Sequence, residues 1–282
     1  MNRSILTAAN TMSQLQHKLD TIGNNLANVD TVGYKRRQAS FTELLYQNYN
    51  NQPREEQEVG RLTPNGIRIG TGSKLGQTNM IIAQGSLKET NRPLDIAFTE
   101  EGQFLRVAVE NNGEQAVHYT RNGALYLSPL EEGSDELILV TSDGYPVLDN
   151  SGNTINIEND YQDISIDENG TINLINSDGE KVEGNNLSIV KIHRPQLLQS
   201  VGGNLLGLPN LEQLNLDEEE VLTLLTDDLQ QQIRLQNGTL EQSNVDVSTE
   251  MTEMLATQRT YQFNAKSISI ADQMMGLVNG IR

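Results

Sequence analysis

The residues that invite a chemical reading are few. Gly70-Thr-Gly72-Ser-Lys74-Leu-Gly76 has the glycine density of a phosphate loop. A Walker loop needs Lys followed by Ser or Thr, whereas here Ser73 precedes Lys74. A dinucleotide fingerprint needs its third glycine one position before Gly76. The following residues, 78–83, read as a strand, so no helix N-terminus is available to an anion. The stretch Asp163–Gly170 has the polar character of a calcium loop. Setting Gly170 on the turn glycine puts Ser165 and Asn176 where an EF-hand needs Asp and Glu, so it reads as a hairpin turn. His17, His118 and His193 are the only histidines and lie far apart in the sequence. There is no cysteine, hence no disulfide, thiolate metal site or cysteine nucleophile. Carboxylates are abundant, yet nothing in their spacing singles out an acid pair for glycoside cleavage. No catalytic residue, cofactor or metal is expected.

What the sequence does specify is position. Ile5, Ala8, Met12, Leu15, Leu19, Ile22, Leu26 and Val29 recur at alternating intervals of three and four. That is the a/d pattern of a coiled-coil seam over residues 4–29, with His17 at an outward f position and Asn25 at a flanking g position. Gly33 is the expected left-handed residue that stops the helix. Near the other end Val247, Met251, Met254, Tyr261, Ala265, Ile268 and Met275 follow the same spacing, with Gln258 and Asp272 as polar interruptions. Asp246 or Ser248 can cap this second helix, whose predicted length is about 50 Å. It carries a further apolar row of Leu255, Phe263, Ile270, Met274, Leu277 and Ile281. That row either covers the β region or meets several neighbours at once.

Between the helices the texture changes. Phe41, Leu44, Leu45 and Tyr46 suggest a short helix or turn, and residues 48–58 a polar connector. Short β-rich runs then recur, at Met80–Ala83, Leu94–Phe98, Phe104–Val109, Val117–Thr120, Leu125–Leu127, Leu137–Thr141, Ile164–Ile166, Ile172–Ile175 and Leu187–Ile192. Asn112-Gly113, Asn122-Gly123, Asp143-Gly144, Asn169-Gly170 and Asp178-Gly179 separate them, and such pairs favour hairpin turns. The Leu-rich stretch 201–237 lacks strict periodicity. Its acidic run Asp217–Glu220 suits a solvated face or a helix N-terminus. The predicted class is α+β: terminal coiled-coil-type helices, packed together or on neighbours, plus a central antiparallel all-β domain. The predicted divisions are 1–47 (helical), 48–77 (extended connector), 78–200 (β domain), 201–237 (return connector) and 238–282 (helical).

Composition narrows the function. A formal charge of −18 argues against nucleic-acid binding and against docking on an anionic membrane. No run of about 18 apolar residues is present for membrane insertion. Residues 1–12 lack the continuous apolar stretch of a cleaved secretory signal. Seams at both ends point to assembly.

Two terminal motifs carry a family resemblance. Ile22-Gly-Asn-Asn-Leu-Ala-Asn-Val-Asp-Thr-Val-Gly-Tyr-Lys35 resembles the N-terminal motif of bacterial flagellar rod and hook proteins. Gln242-Ser-Asn-Val-Asp246, Glu250-Met251, Ala256-Thr-Gln-Arg-Thr-Tyr261, Asn264-Ala-Lys266 and Ala271-Asp272 resemble the C-terminal one. Gln84–Thr90, Leu94–Ala97 and Tyr119–Gly123 are similar to the distal-rod subgroup. Val32 departs from the usual proline, and Glu100–Phe104 from a segment richer in glycine and phenylalanine. The resemblance implies a structural, non-enzymatic axial subunit of the basal body, polymerising with itself and with other rod and hook subunits. It also implies passage through the flagellar type III export apparatus without a cleaved signal. A hook protein and an exported non-flagellar coiled-coil scaffold are the alternatives. The implied assembly residues are Leu15, Leu19, Ile22, Asn25, Leu26, Val29, Met251, Met254, Leu255, Tyr261, Ala265, Ile268 and Met275.

Overall fold

A computed structural model describes residues 2–44, 46–49, 67–70, 72–111, 114–130, 136–158, 161–176 and 181–280. The chain forms two compact units. One comprises residues 1–26, 37–79 and 247–282, and the other residues 27–36 and 80–246.

The first unit begins with α1 (Asn2–Ala27). It continues with β1 (Arg37–Glu43), β2 (Tyr46–Tyr49), β3 (Ile67–Gly70) and β4 (Ser73–Met80). β1 pairs with β4, and β2 with β3. The apolar cluster around Phe41, expected as a short helix or turn, is therefore strand; Leu45 lies outside the described residues. β3 and most of β4 fall within the predicted connector 48–77, of which residues 50–66 lie outside the described residues. The phosphate-loop lookalike is the join of β3 and β4, with its lysine in a strand.

The second unit is all-β apart from short helical turns. Its strands are β5 (Leu87–Glu89), β6 (Ile96–Phe98), β7 (Gln103–Asn111), β8 (Glu114–Thr120), β9 (Leu125–Pro129), β10 (Glu136–Thr141) and β11 (Asn156–Glu158). Then come β12 (Tyr161–Ile166), β13 (Thr171–Asn176), β14 (Lys181–Asn186), β15 (Ile189–Ile192), β16 (Gln199–Gly202) and β17 (Leu205–Gly207). Two single-turn helices, α2 (Leu211–Leu214) and α3 (Glu218–Val221), precede β18 (Leu222–Leu224), β19 (Leu235–Asn237) and β20 (Thr239–Glu241). The C-terminal helix α4 (Val247–Gly280) returns to the first unit.

The centrepiece is a six-stranded sheet in the order β16-β17-β8-β7-β15-β18. Alternation along its strands separates two cores. Leu105, Val107 and Ile189 join a large cluster with Ile96, Phe98, Leu125, Leu139 and Leu187. Phe104, Tyr119, Val190, Ile192 and Leu222 form a smaller one on the opposite face. The clearest expected hairpin is present: Ile166 pairs Ile172 and Ile164 pairs Leu174 around Asn169-Gly170. Gly170 there has φ +80°.

Two expectations fail for identifiable reasons. Asn122-Gly123 is not a hairpin turn, because β8 and β9 belong to different sheets. Gly123 is there for close approach: a Cβ would lie 1.8 Å from the Ile96 carbonyl oxygen. Residues 201–237 are not simply a return connector; they supply β17, β18 and β19 whole and the end of β16. Their strands are three or four residues long and carry buried Leu205, Leu222 and Leu235, with Leu225 and Ile233 buried in the links between them. Pieces so short show no period. Asn112-Gly113 and Asp178-Gly179 lie outside the described residues.

Candidate assembly site

α1 and α4 are joined inside the first unit by polar contacts. Asn25 donates through Nδ2 to the Arg37 carbonyl at 2.8 Å and to Glu250 Oε2 at 3.1 Å. Its Oδ1 accepts the Arg37 N–H at 2.9 Å. Lys18 meets Glu253 at 3.3 Å, a more exposed pair. The two contacts run in opposite order along the helices, so α1 and α4 are antiparallel. Asn25, read as a flanking position, is thus 1% exposed and used within the chain. An amide satisfied on both its N and O is costly to replace.

On α1 the expected seam residues Leu15, Leu19 and Leu26 are half-buried, and Ile22 is 3% exposed. Val29, just past the helix, is half-buried as well. On α4 the covered stripe is Glu250, Met254, Thr257, Tyr261, Asn264, Ile268, Ala271 and Met275. It shares Met254, Tyr261, Ile268 and Met275 with the predicted seam. At the alternate heptad position the covered residue lies one place earlier than the apolar pattern indicates. Met251 and Ala265 are exposed, while Glu250, Thr257 and Asn264 take the covered places. Each finds a partner: Glu250 accepts from Asn25 on α1, while Thr257 donates to the Glu253 carbonyl at 2.7 Å and Asn264 to that of Thr260 at 3.0 Å, one turn back along α4. A polar residue with such a bond is as good a seam residue as a methionine.

The second apolar row of α4 stays uncovered within the chain. Leu255 is 57% exposed, Phe263 71% and Leu277 70%, with Met251, Ile270 and Met274 also exposed. Ile281 lies outside the described residues.

The second unit holds a different arrangement, which sequence reading missed. Helix α1 ends at Ala27, and Gly33 lies six residues further on. It is left-handed as predicted, with φ +70°, but it does not cap the helix. Its N–H donates to the Glu241 carbonyl at 2.8 Å, and a Cβ would lie 2.4 Å from the Arg121 carbonyl oxygen. Only glycine fits a backbone packed this closely at positive φ. Two residues later Lys35 Nζ meets Glu241 Oε1 at 2.6 Å and the Ala83 carbonyl at 2.9 Å. Arg121 Nε meets Glu241 Oε2 at 2.5 Å. The rest of its guanidinium donates to the carbonyls of Gln103, Glu100 and Phe98. The rings of Phe98 and Phe104 lie 5.5 and 5.8 Å from its centre. The three charged side chains are each at most 2% exposed. Burial, then the Arg121 charge, hold the Lys35 amine down to about 8, against the attraction of Glu241.

All three charges lie in or beside the segments that carry the family resemblance: Lys35 closes the N-terminal motif, Arg121 sits in Tyr119–Gly123, and Glu241 precedes Gln242. Isolated Lys, Arg and Glu residues 80 or more positions apart carry no spacing signal, so only proximity to those motifs could have flagged them. Among the described residues, no group of three His, Asp or Glu could hold a metal ion. No helix among them is long and apolar enough to cross a membrane.

One unit of antiparallel terminal helices with an uncovered apolar row, and a second, β unit closed by buried charges, are the build of a structural subunit. Residues 5–35 match the family profile described as flagella basal body rod protein. Residues 100–174 match the D1 domain of the flagellar hook protein FlgE/F/G, and residues 236–281 the C-terminal part of the flagellar basal body rod FlgEFG protein. The chain is 42% identical to the flagellar hook-basal body complex protein FlhP of Bacillus subtilis, over 100% of both. It is 34% identical to the basal-body rod protein FlgG of the same organism, over 98% of this chain and 97% of that one. To the FlgG of Borreliella burgdorferi it is 32% identical, over 100% and 99%. The chain belongs to the flagellar basal-body rod and hook-basal body family.

Proposed function

We propose that the chain is a structural, non-catalytic axial component of the flagellar basal body, a distal-rod-like subunit of the drive shaft. It polymerises through its terminal helices with further copies and with other rod and hook subunits. The observation that carries this reading is likeness across the whole chain to relatives named as rod and hook-basal body proteins. The uncovered row Leu255, Phe263, Ile270, Met274 and Leu277 supports it, because it leaves an apolar face that neighbours can cover. Leu15, Leu19 and Ile22, together with Met254, Tyr261, Ile268 and Met275, hold the helix pair that presents that row. The protein reaches its site through the flagellar type III export apparatus.

Deletion tests the reading. Cells lacking the chain should lose swimming and accumulate basal bodies stopped before hook growth. Wild type should restore both, and Phe263→Asp should restore neither. Normal swimming after deletion would overturn the assignment.

A further inference from the structure

Glu241 separates two cations drawn from distant parts of the sequence. Lys35 arrives on loop 27–36, Arg121 from the join of β8 and β9, and the carboxylate from β20, late in the chain. β20 is held by pairing with β5, Glu241 opposite Leu87. The other polar partners of Lys35 and Arg121 are neutral carbonyls, of Ala83 on one side and of Gln103, Glu100 and Phe98 on the other. Carbonyls satisfy hydrogen bonds but do not cancel charge. Glu101 adds attraction for Lys35 at longer range. Asn204 Nδ2 donates to the Val32 carbonyl at 2.8 Å and Ile81 N–H to the Arg36 carbonyl at 2.9 Å, and two further anchors of the loop come from the same late segment as Glu241. Gly33 N–H donates to the Glu241 carbonyl, and Arg36 N–H to Asn244 Oδ1 at 2.7 Å.

We infer that Glu241 is a latch: loop 27–36 docks on the β unit only once β20 has set the Glu241 carboxylate between Lys35 and Arg121. Without that carboxylate the two buried cations face each other and the loop is expelled. Incomplete chains, or chains not yet closed, therefore carry the loop that follows α1 undocked. The consequence that such chains cannot enter the axial polymer rests on the function proposed above; the latch itself does not. Glu241 is a positioning residue, and Gly85 N–H, donating to its Oε1 at 2.8 Å, holds it from the β-unit side.

The loop contains its own reporter, because Lys35 and Arg36 are trypsin sites and Lys35 is buried. In Glu241→Gln, which keeps size and loses charge, trypsin should cut after residue 35 or 36 about tenfold or more faster than in wild type, with the sheet spectrum retained. Adding Lys35→Met removes the repulsion. Cleavage after Arg36 in the double variant should return to within about threefold of wild type. Loss of ordinary packing would not be rescued this way. A single variant as protected as wild type, or a double variant as open as the single, would overturn the latch. Should Glu241→Gln fail to fold, native-state hydrogen exchange on the wild type decides. The amides of Gly33, Arg36, Gly85 and Gln242 should open as one unit; loop amides exchanging about a hundredfold faster than Gln242 would sink the proposal. None of these readouts involves assembly, so their failure leaves the axial reading standing.

Discussion

The two units solve the problem of burial in opposite ways. In the β unit most strands contribute to one of two closed clusters. In the helical unit, among the described residues, Ile22 and Ala271 are the only fully buried apolar side chains, accompanied by Asn25, Glu250 and Thr257. Charge divides as sharply. Segments 27–36 and 80–246 contain 30 acidic against 10 basic residues, a net −20, whereas the remainder carries 8 against 10, a net +2. A unit with its apolar surface inside and a strongly acidic composition is soluble and self-repelling. A nearly neutral unit with its apolar surface outside offers that surface to neighbours under the function proposed above. The contrast assigns stability to one unit and assembly to the other.

Substitutions should separate the two units, those in buried polar and apolar sites affecting the single chain most. Arg121→Ala leaves Glu241 short of a partner and opens a hole between Phe98 and Phe104. It should cost about 3–5 kcal/mol in urea denaturation followed through the β-sheet signal. A loss below about 1 kcal/mol would mean that the buried charges do not hold the β unit together. Ile22→Asp puts an unpaired carboxylate into the helix pair and should cost about 2–4 kcal/mol. The loss should appear in the helical melt and leave the β unit unmoved; parallel destabilisation of both would show that they do not fold separately.

The Lys35 amine gives the comparison a pH axis. Its value is about 8 in the folded chain against 10.5 in the unfolded one, so between those limits the unfolded chain holds the extra proton. Stability through this group is lowest below pH 8 and rises with pH across that window. The urea midpoint of wild type, relative to Lys35→Met, should therefore rise from pH 7 to pH 9.5. A Lys35 Cε resonance titrating with the surface lysines would refute it. Tyr119, pushed up to about 12 by burial and then by Glu218, acts in the opposite sense only above pH 10.

The smallest expected effects on the chain are the most informative about assembly. Phe263→Asp should change single-chain stability by no more than about 0.5 kcal/mol, because the ring is already in water, yet abolish polymer formation in sedimentation. Ala265→Leu should likewise be silent in the chain, where Ala265 is exposed. If a neighbour packs on it, overfilling costs about 1–3 kcal/mol at every subunit and assembly fails. Wild-type polymers from Ala265→Leu would leave that face to solvent.

The apolar spacing of Ile5 through Leu26 and the hairpin around Asn169-Gly170 were legible because each signal is local. A 3.5-residue period needs only its own helix, and a type of turn needs only its own two residues. The same locality misleads on α4. Choosing apolar residues selects Met251 and Ala265, whereas Asn25, on another helix, makes Glu250 the better occupant. Leu205, Leu222 and Leu235 belong to strands too short for any period and are strands only because neighbouring strands accept them. The charged knot is the extreme case. Nothing local to Lys35, Arg121 or Glu241 announces a burial that each would refuse alone; the desolvation of the two cations is offset by the Glu241 carboxylate they share and by the carbonyls around them. The sequence by itself determined that the chain has two seams and a β region between them. Tertiary structure decided which residues fill the seams and which three charges close the β unit, because those choices depend on partners that only folding brings together.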